Sequence, residues 1–115
     1  MTTALLCSRQ LVTPGHYEQI RLALARIGTL VLHHGGEGAA EIHANAWATE
    51  TGRGLVAHLP DWAGHGRAAG PMRGRALVAA ADTVLALWDR KSRGTAAELK
   101  EARRLRKRVI LLLAD

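Results

Sequence analysis

The segment Ser92-Arg93-Gly94-Thr95 carries the most specific chemical signal in the sequence. Small, hydroxyl-bearing residues and a glycine directly before a helical pattern suit a phosphate group, because free N–H groups at a helix N-terminus attract anions. We expect Ser92, Gly94 and Thr95 to bind that phosphate. Glu98 follows three residues after Thr95, where its carboxylate can bind ribose hydroxyls or act as an acid or base in N-glycosidic bond cleavage. The same spacing is typical of a capping box formed by Thr95 and Glu98, and the two interpretations are compatible.

A second candidate turn follows the first apolar run of the chain. Ser8 and Arg9 come directly after Ala4-Leu5-Leu6-Cys7, which has the composition of a short buried strand. A serine hydroxyl and a guanidinium both donate hydrogen bonds to phosphate oxygens, and arginine does so with two N–H groups at once. We therefore predict that Ser8 and Arg9 bind the ligand, although a plain polar loop has the same composition.

The glycine-rich segment from His34 to Glu41 follows the second apolar run. Gly35 and Gly36 allow the backbone to turn closely around a ligand, and the helix that follows offers its N-terminus to an anion. Glu41 is predicted to accept ribose hydroxyls. The alternative, a carboxylate that merely favours the helix N-terminus, has equal weight for Glu41 and is preferred for Glu37.

The long polar stretch from Pro60 to Pro71 leads into a short helical pattern that carries Arg73 and Arg75. We expect this helix to begin at Pro71, which places both arginines near its start, where the helix dipole disfavours cations. That unfavourable placement indicates a role in ligand binding rather than in stability. Trp62, in the same stretch, can either stack on a base or anchor the loop to the core.

Strand-length apolar runs alternate with helical patterns along the whole chain. Continuous runs of Leu, Val and Ile are typical of strands buried on both faces, and they predict strands over residues 4–7, 29–33, 55–59, 83–88 and 109–113. Helical spacing predicts helices over residues 14–26, 39–51, 71–81 and 95–105. Thr13 is the expected N-cap of the first helix, with Pro14 at its first position, and Gly52 is expected to end the second.

This alternation predicts an α/β fold: a single Rossmann-like, three-layer α/β/α domain over residues 1–115 with a mainly parallel five-stranded sheet. Ligands of such sheets bind beyond the carboxyl ends of the strands, at the switch point in strand order. The candidate motifs follow strands, so we expect them to converge on one site.

The composition narrows the choice of partners. The formal net charge is +6 at pH 7 and the sequence pI is about 10.7, which favours anionic ligands. Single-stranded nucleic acid is the less favoured anion, because no aromatic residues are interleaved with the basic cluster near the C-terminus.

The single cysteine, Cys7, indicates a reducing cytoplasm, and the histidines lack metal-ligand spacing, so neither a metal nor a cofactor is predicted. No segment has the roughly 20 apolar residues of a membrane span, and a homodimer is the favoured assembly.

Four segments of the chain resemble the SLOG superfamily and, more narrowly, its small YspA-like branch, which is common in bacteria and phages. The segments are His34-Gly35-Gly36 with Glu41 and Trp47-Ala48, Leu59-Pro60-Asp61-Trp62, Ala68-Ala69-Gly70-Pro71-Met72-Arg73-Gly74-Arg75, and Trp88-Asp89 with Ser92-Arg93-Gly94-Thr95. The resemblance extends from about Leu5 to Leu113. It implies a Rossmann-like fold that binds nucleotides or nucleotide-derived ligands.

A related branch, the Lonely-guy-type phosphoribohydrolases, has an arginine before its fourth strand and a Gly-Gly-x-Gly-Thr-x-x-Glu signature after it. Arg75 and Glu98 fall where that branch keeps its catalytic arginine and glutamate, and Gly94-Thr95 matches its phosphate turn. The double glycine that opens the signature is replaced here, around residues 91–93. The resemblance therefore implies ligand binding or sensing first. The alternative is hydrolysis of a nucleoside monophosphate, with Arg75 and Glu98 as catalytic residues.

Overall fold

A parallel sheet presents the candidate motifs at one of its edges. In the computed structural model, which describes residues 1–114, five strands pair in the order β3-β2-β1-β4-β5, and every pair is parallel. The strands are β1 (Thr2–Cys7), β2 (Val31–His34), β3 (Gly54–Ala57), β4 (Thr83–Trp88) and β5 (Arg108–Leu113). The predicted α/β fold with a five-stranded parallel sheet is confirmed, and it is consistent with a Rossmann-like three-layer arrangement.

Helices cover both faces of the sheet, because alternate side chains of the central strands point to opposite faces. The helices are α1 (Pro14–Ile27), α2 (Gly38–Thr51), α3 (Trp62–His65), α4 (Ala69–Ala79) and α5 (Arg93–Arg104). On one face, α1 and α2 pack on Leu5 and Leu85; on the other, α4 and α5 pack on Leu6 and Val84. The longest of these helices have 14 residues, and no helix within residues 1–114 is long and apolar enough to cross a membrane.

Capping residues set the limits of α1 and α2. Thr13 is the N-cap of α1, as predicted: its hydroxyl accepts a hydrogen bond from the His16 N–H at 3.2 Å, and His16 Nδ1 accepts one from the Thr13 N–H at 3.3 Å. Gly28 ends α1 with a φ of 77°, in the left-handed region that glycine adopts most easily. Gly52 ends α2 in the same way, as predicted, with a φ of 69°.

The helix α4 begins earlier than predicted. The stretch from Pro60 to Pro71, predicted to be irregular, contains α3, a 3₁₀ turn over Gly66–Ala68 and the first turn of α4. Pro71 is the third residue of α4, a position where a missing N–H costs no helical hydrogen bond. Arg73 and Arg75 therefore lie inside α4 rather than at its start, and the argument from an unfavourable dipole position is wrong.

Four of the five strands differ by one or two residues from their predicted limits: β1 and β5 begin earlier, at Thr2 and Arg108, and β2 and β3 are shifted at both ends. β2 begins at Val31 rather than Thr29, because the Thr29 N–H still donates to the last turn of α1 at 3.1 Å. β3 ends at Ala57 rather than Leu59, and Pro60 just beyond has no N–H with which to extend the ladder.

Replacing Gly28 by alanine is expected to lower the free energy of unfolding by about 1 kcal/mol, because a residue with a Cβ resists the left-handed conformation. No atom lies within 4 Å of the position that the new Cβ would occupy, so the effect comes from the backbone alone. Gly15→Ala, in the first turn of the same helix, is the control and is expected to maintain or raise stability. Urea unfolding measures both variants, and equal losses in the two would contradict this explanation.

Candidate functional site

A cleft of about 270 Å³ opens at the carboxyl edge of the sheet, near the point between β1 and β4 where the strand order reverses. Its walls come from the end of β1, the turns before α2 and α5, and one side of α4. The predicted site residues that line it are Arg9, Gly35, Arg73, Ser92, Gly94, Thr95 and Glu98. The fold thus brings together residues from four separate segments of the chain.

Arg73 connects α4 to the turn between β2 and α2. Its Nη1 donates a hydrogen bond to the carbonyl oxygen of Gly35 at 2.6 Å, and its Nη2 donates one to Glu37 Oε1 at 3.0 Å. Only 14% of the side chain is exposed. The buried Nε–H finds no hydrogen-bond partner within residues 1–114, and a buried donor without a partner is costly. Arg73 therefore brings to the cleft a charge that is shielded from water and an Nε–H donor that has no hydrogen-bond partner among the described residues.

Glu37 bridges two arginines in the wall of the cleft. Its Oε1 lies 3.0 Å from Nη2 of Arg73 and 2.9 Å from Nη2 of Arg9. Burial opposes ionisation of Glu37, but hydrogen bonds from both guanidinium groups outweigh it and hold the carboxyl pKa below its ordinary value. Although Glu37 is the N-cap of α2, its side chain caps no backbone N–H of that helix. The interpretation of Glu37 as a residue that only favours a helix N-terminus is therefore wrong.

Glu98 presents a largely buried carboxyl group from the second turn of α5. Burial raises its pKa above the ordinary value; the positive charge of Arg73 opposes this shift and the negative charge of Glu37 adds to it. The carboxyl packs against Gly74 of α4, where a Cβ would lie 3.0 Å from Glu98 Oε2. A carboxyl that keeps its proton to higher pH can donate a hydrogen bond as well as accept one.

Ser92, and not Thr95, caps α5. The Ser92 Oγ accepts hydrogen bonds from the Thr95 N–H at 3.4 Å and from the Thr95 hydroxyl at 3.2 Å. The helix therefore begins two residues before the predicted start at Thr95, and Thr95 is already its third residue. The predicted capping box of Thr95 and Glu98 is wrong, because Glu98 lies too far inside the helix to bond the capping residue. Its carboxyl is left to face the cleft.

Ser8 lies between two strand ends instead of facing the cleft. It is 1% exposed, its Oγ accepts a hydrogen bond from the Asp89 N–H at 3.2 Å, and its own N–H donates to the Leu87 carbonyl at 3.0 Å. The predicted contact of this hydroxyl with a phosphate is therefore not supported. The neighbouring Cys7 is partly buried, and burial together with the charge of Asp89 raises its pKa to about 12, so that the thiol stays protonated.

Gly36 and Glu41, both predicted to bind the ligand, also lie outside the lining of the cleft. Gly36 turns the chain with a φ of 77°, and the side chain of Leu59 covers it. Glu41 lies in the first turn of α2, where its charge partly offsets the lowering of the His34 pKa by burial. Gly36 therefore shapes the turn, whereas the charge of Glu41 opposes the effect of burial on the pKa of the His34 imidazole.

Arg75 faces an adjoining cleft. It follows Arg73 by two residues, which is a rotation of about 200° around a helix, so the two side chains leave α4 on different sides. The adjoining cleft has a volume of about 320 Å³ and lies between α4 and α5, with Glu98 in its wall. Arg75 and Glu98, the two residues predicted to be catalytic in a hydrolase, thus both line this second cleft, whereas Arg73 and Glu98 line both clefts.

Comparison with protein-family models, with curated proteins and with solved structures gave no match to this chain. In the described part of the chain, no three His, Cys, Asp or Glu side chains are grouped closely enough to hold a metal ion. The cleft itself offers two guanidinium groups, an ionised carboxylate, a second carboxyl with a raised pKa and the N-terminus of a helix. Such a set can bind an anion and exchange a proton with it.

Glu98→Gln is expected to be more stable than the wild type at pH 7, because glutamine cannot acquire the charge that burial disfavours. The raised pKa means that the folded state binds this proton more tightly than the unfolded state does. Wild-type stability is therefore lost as the pH rises above the ordinary glutamic acid pKa of about 4.3, and the advantage of the variant grows over the same range.

Thermal unfolding between about pH 3 and pH 8 measures this difference. Glu18→Gln is the control and is expected to be less stable than the wild type at pH 7, because a hydrogen bond from Arg21 lowers the pKa of Glu18 and the charge of Glu18 favours folding. A Glu98→Gln variant that is less stable than the wild type at pH 7 would show that the ionised carboxylate stabilises the fold.

Proposed function

We propose that this chain binds or senses a nucleotide or nucleotide-derived ligand, whose phosphate lies in the cleft at the carboxyl ends of β1 and β4. The proposal depends on one observation: Arg9 and Arg73 meet on a single carboxylate, beside the N-terminal turn of α5. Two guanidinium groups and a helix N-terminus carry more positive charge than Glu37 neutralises. Arginine recognises phosphate oxygens through paired N–H groups, and helix N-termini favour the same anion.

The other groups of the cleft suit the sugar of such a ligand. Glu98 can accept or donate a hydrogen bond, as ribose hydroxyls also can. The volume of about 270 Å³ is close to the lower end of the range of ligand pockets, which begins at about 300 Å³. A sugar phosphate fits such a volume, with its base directed to solvent or to the adjoining cleft beside Arg75.

Arg9→Gln is expected to weaken ligand binding about tenfold, because it removes a charged donor from the phosphate. The free energy of unfolding should change by less than about 1 kcal/mol, since Arg9 is 72% exposed and its pair with Glu37 resembles a surface salt bridge. Thermal shift and calorimetric titration with inorganic phosphate, ribose 5-phosphate and nucleoside monophosphates measure both effects. Arg21→Gln is the matched control, because Arg21 pairs with Glu18 on α1, away from the cleft.

Three results would count against this proposal. The first is stabilisation by none of these compounds. The second is an equal loss of binding in Arg9→Gln and Arg21→Gln, which would mean that only the net charge attracts the ligand. The third is tight binding of single-stranded DNA with a steep salt dependence, in place of mononucleotides, which would favour a nucleic-acid partner.

A second function, hydrolysis of the N-glycosidic bond of a nucleoside monophosphate, is favoured by the raised pKa of Glu98. A protonated carboxyl can give its proton to the departing base as the bond between the base and C1′ breaks. Water then adds to C1′ of the resulting oxocarbenium ion and returns a proton to the Glu98 carboxylate, which leaves free base and ribose phosphate. Arg75, which lines the adjoining cleft together with Glu98, would contact a base placed there.

Under this second function, Glu98→Gln is expected to abolish the release of free base while ligand binding is retained, because glutamine cannot donate that proton. Chromatography of nucleoside monophosphates incubated with the pure protein measures the release. Glu18→Gln, on the exposed surface of α1, is the control and should keep the wild-type rate. Release at the wild-type rate in Glu98→Gln would remove Glu98 from the reaction, and no release from any monophosphate would leave the binding function alone.

A further inference from the structure

A band of basic side chains lies at the amino edge of the sheet, opposite the cleft. The end of α5 and the start of β5 supply five cations within six residues: Arg103, Arg104, Arg106, Lys107 and Arg108. Arg26 joins them from the last turn of α1, and it lines a groove between α1 and β5 together with Arg108. These six residues form the basic band, and the proposed function uses none of them.

Two charges of the basic band are matched by acidic residues. Arg104 forms a salt bridge with Glu101, which precedes it by three residues in α5. Hydrogen bonds from Thr2 lower the pKa of Asp82, and the charge of Lys107 lowers it further. Within residues 1–114, no salt bridge involves the other four members of the band, all of them exposed: Arg26, Arg103, Arg106 and Arg108. The band therefore presents an excess of positive charge to solvent.

The backbone of Arg106 adopts a conformation that favours glycine. Its φ is 56°, in the left-handed region. Arg106 follows α5 as Gly28 follows α1: the Arg106 N–H donates to the Arg103 carbonyl at 3.0 Å, and the Gly28 N–H donates to the Ala25 carbonyl at 3.2 Å. A glycine would end α5 at a lower cost in backbone strain, so an arginine occupies this position against the preference of the backbone.

The helix dipole accounts for only part of the basic band. Cations in the last turn of a helix interact favourably with its dipole, which explains Arg26, Arg103 and Arg104. Arg106 and Arg108 lie beyond the last turn of α5, and Arg108 already belongs to β5. Because the dipole effect falls off within the last turn, these two charges need another explanation.

We propose that the basic band binds the phosphate backbone of double-stranded DNA without reading its sequence. Duplex DNA carries about one negative charge per 1.7 Å of its axis, and cations that contact it release condensed counterions. Arginine donates paired N–H groups to phosphate oxygens. Contacts with the backbone hold a protein on the duplex but carry no sequence information, so an exposed band of arginines is sufficient for them.

The aromatic and apolar side chains favour duplex DNA over two other polyanions. Binding of single strands relies on bases that stack on aromatic side chains. Trp47 is buried, and the other three aromatic residues lie at the carboxyl edge, away from the band: Tyr17, Trp62 and Trp88. Binding to an anionic membrane needs apolar side chains that insert among the lipids, and none of the exposed large apolar residues belongs to the segment 103–108.

Fluorescence anisotropy with a labelled DNA duplex of mixed sequence, measured at several salt concentrations, tests the proposal. Contacts with at least two phosphates predict a slope of about −1.8 or steeper when the logarithm of the affinity is plotted against that of the salt concentration. Arg106→Gly is expected to weaken binding about three- to tenfold and to make the slope shallower by about 0.9, the contribution of one phosphate. The same variant is expected to raise Tm by a few degrees, because glycine relieves the left-handed backbone.

Arg90→Gly is the matched control. Arg90 also has a left-handed backbone, with a φ of 65°, and its replacement removes the same charge, but it follows β4 at the opposite edge of the sheet. Its duplex affinity is expected to stay close to that of the wild type. Saturation with adenosine monophosphate should leave duplex binding unchanged as well, because the cleft lies at that opposite edge.

Three results would overturn the proposal. The first is a wild-type slope shallower than about −1.8, a measurement that needs no variant and so decides the question even if Arg106→Gly fails to fold. The second is a duplex affinity that is unchanged in Arg106→Gly or equally reduced in Arg90→Gly. The third is tighter binding of a single strand of the same length, or of phosphatidylserine vesicles in place of the duplex. None of these results depends on nucleotide binding in the cleft, since the titrations are carried out without nucleotide.

Discussion

The cleft depends on the position of one guanidinium group. Arg73 extends from α4, which packs on one face of the sheet, to the turn before α2, which packs on the other. A planar side chain with several donors bonds a backbone carbonyl and a carboxylate at once, whereas a lysine would present a single ammonium. The position of α4, the position of the N-terminus of α2 and the space between them are therefore linked through this side chain. Its shielded charge lowers the pKa of Glu37 and opposes the rise in the pKa of Glu98.

The two carboxyl groups beside Arg73 have opposite pKa shifts, because the balance between burial and the guanidinium groups differs between them. Glu37 accepts hydrogen bonds from guanidinium groups, and these outweigh the cost of burial. Glu98 is influenced by the Arg73 charge without such a bond, so burial dominates and its pKa rises. The cleft thus contains one carboxylate that stays ionised and one carboxyl that can hold a proton. Environments that separate two pKa values in this way are what acid–base roles require.

The sequence predicts the limits of the strands better than the contacts of the side chains in the site. The limits of β4, Thr83–Trp88, were predicted to the residue, because a strand buried on both faces needs an uninterrupted apolar run. The start of α5 was not predicted correctly, because Ser92 and Thr95 are both good capping residues and the tertiary structure decides between them. The role of Glu37 was missed because Arg73 lies 36 residues away and meets it only after the chain has crossed the sheet. An acidic residue directly after a Gly-Gly turn was the one available signal.

Under the proposed function, Glu37 also determines which anions the cleft favours. Its single negative charge already bridges Arg9 and Arg73. A carboxylate ligand that displaced it would replace one carboxylate by another at the same two guanidinium groups, with little net gain. A phosphate monoester carries about two charges at neutral pH and has three acceptor oxygens. It can therefore engage both arginines and the N-terminus of α5 together. The cleft is therefore expected to prefer phosphate to carboxylate, because a ligand must bind the two arginines more strongly than the Glu37 carboxylate that it displaces.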